Sequence, residues 1–177
     1  RWRVTHVQWV PTIVQMALDE QRVRPRRLES LHLIAYGAAP MPVQLLREAA
    51  AEFGCRFTQV YGMTESVGPI CHLPHEAHPL EGPISDEPPA TGYPDPGVQL
   101  RIVAPAGSRT LGARQTGEVV VRMPRPNPTY WSLPPGAQSA FDVEGWLHTG
   151  DAGFLDEDGC LHLTDRISEL IISGGEN

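Results

Sequence analysis

Residues 31–62 read LHLIAYGAAPMPVQLLREAAAEFGCRFTQVYG. The apolar stretch over 31–36 predicts a strand, and Gly37-Ala38-Ala39-Pro40 turns the chain out of it. Residues 42–53 predict a helix, with Gly54 as its stop signal. Residues 55–60 predict the next strand, which ends at Tyr61-Gly62. Upstream, residues 4–10 predict a strand, and Pro11 opens a helix with an apolar face at Ile13, Val14, Ala17 and Leu18. Strand, helix, strand, helix, strand in unbroken succession predicts an α/β layer on a largely parallel sheet. Ligands bind such sheets beyond the carboxyl ends of the strands, which directs attention to the 37–40 turn and the loop after Tyr61.

The texture then changes. Residues 74–97 carry many prolines and histidines and predict a long surface connection. Short strands are expected over 98–103, 118–122, 153–155 and 160–163. The last two flank Asp156-Glu157-Asp158-Gly159, whose Asp-Gly pair favours a hairpin turn. This half predicts a small antiparallel sheet or barrel, and a new element begins at 169–173. The domain reading is therefore α/β over 1–97 and antiparallel β over 98–165, with a further segment over 166–177.

All 14 basic residues are arginine, against 21 acids, for a formal net charge of −7. Without lysine, no side chain within these 177 residues can form a Schiff base or act as a P-loop lysine. Arginine remains suited to clamping phosphate or ribose. The acidic balance argues against nucleic acid as a partner. Cys55, Cys71 and Cys160 are odd in number and widely spaced, which gives no disulfide framework and predicts a reducing, cytoplasmic setting. No apolar run reaches the ~18 residues of a transmembrane span, and no signal peptide is visible.

Several clusters could carry chemistry. Tyr61 offers a flat face for a base, Gly62 a close backbone approach and Thr64 a hydroxyl for phosphate. Glu65 is a hard oxygen donor suited to Mg²⁺. The competing reading is a strand-end turn with a helix cap at Thr64 or Ser66. Trp146-Leu147-His148-Thr149-Gly150-Asp151 ends in a carboxylate that could accept both hydroxyls of a ribose, or could be an ordinary turn aspartate. Asp165-Arg166 closes a strand, and its arginine could reach the same sugar or form an exposed ion pair. Cys71, His72, His75, Glu76 and His78 invite a zinc reading, but their spacing matches no common structural finger and a proline interrupts them. A solvated loop is the competing account.

Together these segments resemble the adenylate-forming superfamily, and within it the AMP-forming acyl-CoA synthetases. Tyr61-Gly62-Met63-Thr64-Glu65 resembles the family signature, and Gly37-Ala38-Ala39-Pro40 its adenine loop. Gly92-Tyr93-Pro94, Thr116-Gly117-Glu118, the Trp146-to-Asp151 segment, Asp165-Arg166 and Ser173-Gly174-Gly175-Glu176-Asn177 follow in family order. The resemblance implies part of the large N-terminal domain, an α/β layer plus a small antiparallel β-barrel, ending just past the interdomain hinge. It implies an enzyme that joins a carboxylic acid, such as a fatty acid, to ATP as an acyl adenylate and then transfers the acyl group to coenzyme A. A carrier-protein thiol is the alternative acceptor, and a non-catalytic nucleotide-binding module the alternative class.

Position by position, the resemblance implies that Gly37, Ala38, Ala39, Pro40 and Tyr61 hold adenine, beside Gly62. Thr64 would hold phosphate, Glu65 would ligate Mg²⁺, and Asp151 with Arg166 would hold ribose. Gly174 and Gly175 would line the coenzyme A path. Ser168 falls where relatives usually carry Lys or Asp at the hinge. The family's phosphate loop is expected upstream of Arg1 and its catalytic lysine beyond Asn177, so the isolated piece is expected to have little ligase activity.

Overall fold

The computed structural model describes residues 2–104, 109–132 and 140–167. The described chain divides into two compact units, one from residues 2–60 and 73–87, the other from 61–72 and 88–167.

In the first unit, β1 (His6–Trp9), β2 (Leu33–Gly37) and the start of β3 (Arg56–Met63) pair in parallel, with Ala35 opposite Gln8 and Thr58. Helix α1 (Pro11–Val23) begins where expected: Pro11 needs no amide partner there, and the Ile13 and Val14 amides bond to the Val10 carbonyl at 2.9 and 3.1 Å. Its buried face is Pro11, Val14 and Leu18, one stripe of a 3.6-residue period. Helix α2 (Val43–Phe53) buries Leu46, Ala49 and Phe53 and ends at Gly54, which takes the left-handed conformation at φ 62°. These faces close over Ile34, Tyr36 and Phe57 in one apolar core. Arg22 of α1 reaches Glu48 of α2 at 2.7 Å across an exposed surface.

The second unit is antiparallel. It contains β4 (Gly68–Leu73), β5 (Ala90–Pro94), β6 (Gln99–Val103), β7 (Gly117–Arg122), β8 (Leu147–Leu155) and β9 (Leu161–Arg166). These strands lie side by side in the order β4-β5-β9-β8-β7-β6. Val119, Val120 and Val121 of β7 are all fully buried, because a central strand covered on both faces keeps no solvent side. Val119 and Val121 join Ile70, Ile102, Leu147 and Leu161, whereas Val120 packs with Val103 and Trp146 on the opposite face.

Three expectations are corrected. Residues 68–73 form β4, which the sequence reading omitted. The expected 74–97 connection contains β5, whose Thr91 is buried and accepts the Leu163 amide. The strand expected over 153–155 begins already at Leu147, so Asp151 sits within a strand and is no turn residue. The Asp156-to-Gly159 hairpin turn is present, with the Asp156 amide bonded to the Cys160 carbonyl at 3.0 Å. The element expected at 169–173 lies outside the described residues.

Candidate functional site

Asp151 is the centre of a polar cluster in the second unit. The residue is 5% exposed, and the β8–β9 register places it directly opposite Arg166. The Arg166 Nε donates to Asp151 Oδ1 at 3.0 Å, and the Tyr61 hydroxyl donates to Oδ2 at 2.6 Å. Each carboxylate oxygen can accept two hydrogen bonds, so both retain acceptor capacity with the protein contacts made. Burial, reinforced by the Asp151 charge, pushes the Tyr61 phenol well above its ordinary range and keeps it a donor.

The strand around this carboxylate is pinned. Thr149 Oγ1 donates to the Val119 carbonyl at 2.8 Å and accepts the Asp151 amide at 3.1 Å. Between them Gly150 adopts φ 71°, and the β7–β8 register shifts between Glu118 and Val120. Such irregularities re-aim side chains where a regular ladder could not.

Beyond Tyr61, residues Thr64–Ser66 make one 3₁₀ turn with Thr64 exposed, Glu65 half-buried and Ser66 1% exposed. Ser66 Oγ accepts the Met63 amide at 3.1 Å and lies 2.7 Å from the Met63 carbonyl and 2.5 Å from that of Gly68. Ser66 thus fixes the turn, as the cap reading expects, and Thr64 and Glu65 stand on that turn. A Cβ on Gly62 would stand 2.7 Å from the Gly68 carbonyl oxygen, so only glycine lets the two segments approach this closely. Two contacts had no cue in the sequence. The Tyr130 hydroxyl donates to Glu65, and Arg125 donates to the Val67 carbonyl at 2.7 Å, both from a proline-rich loop without periodicity.

The 37–40 turn belongs to the first unit. Gly37 ends β2 opposite Val60, and a Cβ there would stand 2.2 Å from the Val60 carbonyl oxygen. Ala38 follows at φ 66°, with Ala38 and Pro40 exposed and Ala39 half-buried. Ser168, Gly174 and Gly175 lie outside the described residues.

The zinc reading of Cys71, His72, His75, Glu76 and His78 finds no support, since these groups are otherwise engaged. His75 Nδ1 accepts the Phe57 amide at 3.1 Å, Glu76 pairs with Arg56, and His72 Nδ1 lies 2.5 Å from Asp95. His78 Nδ1 donates to the Pro74 carbonyl at 2.9 Å, while its Nε2 lies 3.0 Å from the Tyr36 hydroxyl. Cys71 is buried, which pushes its thiol well above the ordinary range.

Comparison with known proteins supplies the family. The model of the AMP-binding enzyme family matches residues 1–131. A fatty acid–[acyl-carrier-protein] ligase, ScoC of Streptomyces coeruleorubidus, is 38% identical over 95% of this chain and 31% of its own length. The amide bond synthetase McbA of Marinactinospora thermotolerans matches with TM-score 0.83 and 34% identity, covering 99% of this chain and 34% of its own. The o-succinylbenzoate coenzyme A synthetase of Bacillus subtilis, solved with ATP and magnesium, matches with TM-score 0.76 and 33% identity over 99% of this chain and 34% of that one. The chain thus spans about a third of the length of these relatives. Its mixed α/β architecture is that of the N-terminal domain of adenylate-forming enzymes. The chain belongs to the AMP-binding enzyme family, within the adenylate-forming ligases.

Proposed function

We propose that the protein carrying this chain is an acyl-CoA synthetase that activates a carboxylic acid as its acyl adenylate and transfers the acyl group to coenzyme A. The observation that carries the reading is the Asp151 carboxylate, buried and oriented by Tyr61 and Arg166 yet retaining acceptor capacity on both oxygens. A ribose diol requires such a fixed acceptor, which two vicinal hydroxyls can share.

The remaining residues fit a magnesium nucleotide by their chemistry. Tyr61 and Gly62 would hold adenine, and the exposed Thr64 hydroxyl would meet a phosphate oxygen. Glu65 is a half-buried hard oxygen donor and would hold Mg²⁺. When bound, ATP supplies the adenylyl group and Mg²⁺ neutralises charge on its phosphates. The chain's own part is to orient: Asp151 fixes the sugar, Arg166 fixes Asp151, and Ser66 holds the turn that presents Thr64 and Glu65.

Pyrophosphate release by the full-length protein, measured across a panel of carboxylic acids, tests the reading. Asp151→Asn should lower kcat/KM for ATP by about a hundredfold, the scale of a lost charge-assisted contact pair. Unchanged turnover in that variant would remove the ribose assignment.

A second acceptor is favoured by one observation: the 38%-identical relative is an acyl-carrier-protein ligase. Offering coenzyme A and a holo carrier protein side by side distinguishes the two thiols.

A further inference from the structure

The hairpin joining β8 to β9 holds a group of side chains that the nucleotide site does not use. Asp156, Cys160 and His162 offer a carboxylate oxygen, a thiol sulfur and an imidazole nitrogen that all lie within 4.8 Å of one another. Each is already oriented. Asp156 Oδ1 accepts the Asp158 amide at 3.0 Å and the Cys160 amide at 2.8 Å, and its Oδ2 faces the His162 ring. His162 Nδ1 donates to the Pro88 carbonyl at 2.8 Å, which leaves Nε2 as the ring nitrogen that a cation would take. Phe154 stacks on the imidazole, with centroids 4.8 Å apart and planes 4° from parallel, and fixes its plane.

The consequence is that two potential ligand atoms are turned toward each other. His162 Nε2 faces Asp156 Oδ2 at 3.4 Å, longer than a good hydrogen bond. Two ligands on a tetrahedral zinc ion, at bond lengths of about 2.0–2.1 Å, stand about 3.3–3.4 Å apart. A histidine that donates its second nitrogen to a backbone carbonyl has the support that ligating histidines have elsewhere. Cys160 adds a third donor, 3% exposed. Entry is from the rim, where the Asp156 and His162 side chains keep 21% and 14% of their surface.

We propose that the β8–β9 hairpin binds a Zn²⁺-class divalent cation through Asp156, Cys160 and His162, with water completing the tetrahedron. The donor set decides the class: thiolate and imidazole select a borderline-soft ion, whereas Mg²⁺ takes oxygen ligands. Binding replaces the Cys160 S–H bond with an S–metal bond and releases that proton to solvent. The site is separate in residues from the nucleotide cluster, so it stands or falls without the proposed function.

Cobalt titration of the full chain, stripped of metal with a chelator, reads the site directly. One equivalent of Co²⁺ should give the thiolate-to-cobalt charge-transfer band and the visible bands of a tetrahedral ion. Zn²⁺ should abolish both and a large excess of Mg²⁺ neither. Cys160→Ser should remove the charge-transfer band, and His162→Gln should weaken binding by more than about tenfold, while Cys71→Ser leaves the spectrum unchanged. X-ray absorption on the zinc-loaded, unmutated chain guards against misfolded variants and should show one sulfur at about 2.3 Å. Binding without a sulfur ligand, retention of the charge-transfer band in Cys160→Ser, or weak adventitious binding only would overturn the proposal.

Discussion

Tyr61 and Arg166 approach opposite oxygens of the same carboxylate, so replacing either reports on a different property of Asp151. Tyr61→Phe removes one donor from the buried carboxylate and leaves the charge pair, and should raise KM for ATP by roughly tenfold while costing about 1–3 kcal/mol of stability. Titrating ATP in the pyrophosphate assay at fixed acid checks this; an unchanged KM would separate the phenol from nucleotide binding. Ser66 poses the complementary case. Its buried hydroxyl satisfies the Met63 amide and a carbonyl, and Ser66→Ala should cost about 1–3 kcal/mol by leaving them unpaired. Chemical denaturation measures that loss directly. The sequence made Asp151 and Arg166 legible as types suited to a ribose and Tyr61 as one suited to a base, but not the hydrogen bonds that join the three. Those depend on a strand pairing across residues far apart in the chain, which no local pattern encodes. The Tyr130 contact to Glu65 was illegible for the same reason.

Among the elements, those with local signals were readable and those set by pairing were not. Helices α1 and α2 carried a proline start, a glycine stop and one apolar stripe each, and these signals act within a turn or two of chain. Strand β4 opens on Gly68-Pro69 and β8 contains His148, Thr149, Gly150 and Asp151, compositions that mimic turns. Partner strands satisfy their backbones on both sides, and a bulge absorbs Gly150, so tertiary pairing overrides the local preference. The β2–β3 pair shows how little room such pairing leaves. A methyl group on Gly37 would meet the Val60 carbonyl oxygen at 2.2 Å, a collision with backbone that no side-chain rotation relieves. Gly37→Ala should therefore destabilise the first unit by at least about 1–3 kcal/mol, the scale of an overpacked core position. Loss of amide protection at the β2–β3 ladder by hydrogen exchange is the expected signature, and native protection there would contradict it.

At the scale of the whole molecule, titratable groups distinguish the two units. In the first, burial pushes the His78 imidazole below its ordinary value of 6.5, with the Pro74 and His75 carbonyls opposing that shift. The folded unit thus holds neutral imidazole, whereas the unfolded chain takes up a proton as pH falls through about 6.5. Below that point the unfolded state binds more protons, so stability falls with pH until the folded histidine itself protonates. Both units carry carboxylates held below their ordinary range, Glu48 and Glu76 in the first and Asp142 and Asp156 in the second, so the buried histidine is what sets the first apart. Burial raises Asp142 and Asp156, but backbone amides and a nearby histidine outweigh it and hold both below 3.8. Their contribution is present above that value and disappears only as pH falls through the lower folded value. Acidification should therefore loosen the first unit before the second. Hydrogen exchange followed by mass spectrometry at pH 7.5, 6 and 5 would show α1, α2 and β2 losing protection while β7 and β8 keep theirs. His78→Asn should flatten the acid response of the first unit, because the group whose protonation drives it is gone. An identical acid slope in that variant would assign the effect to another group.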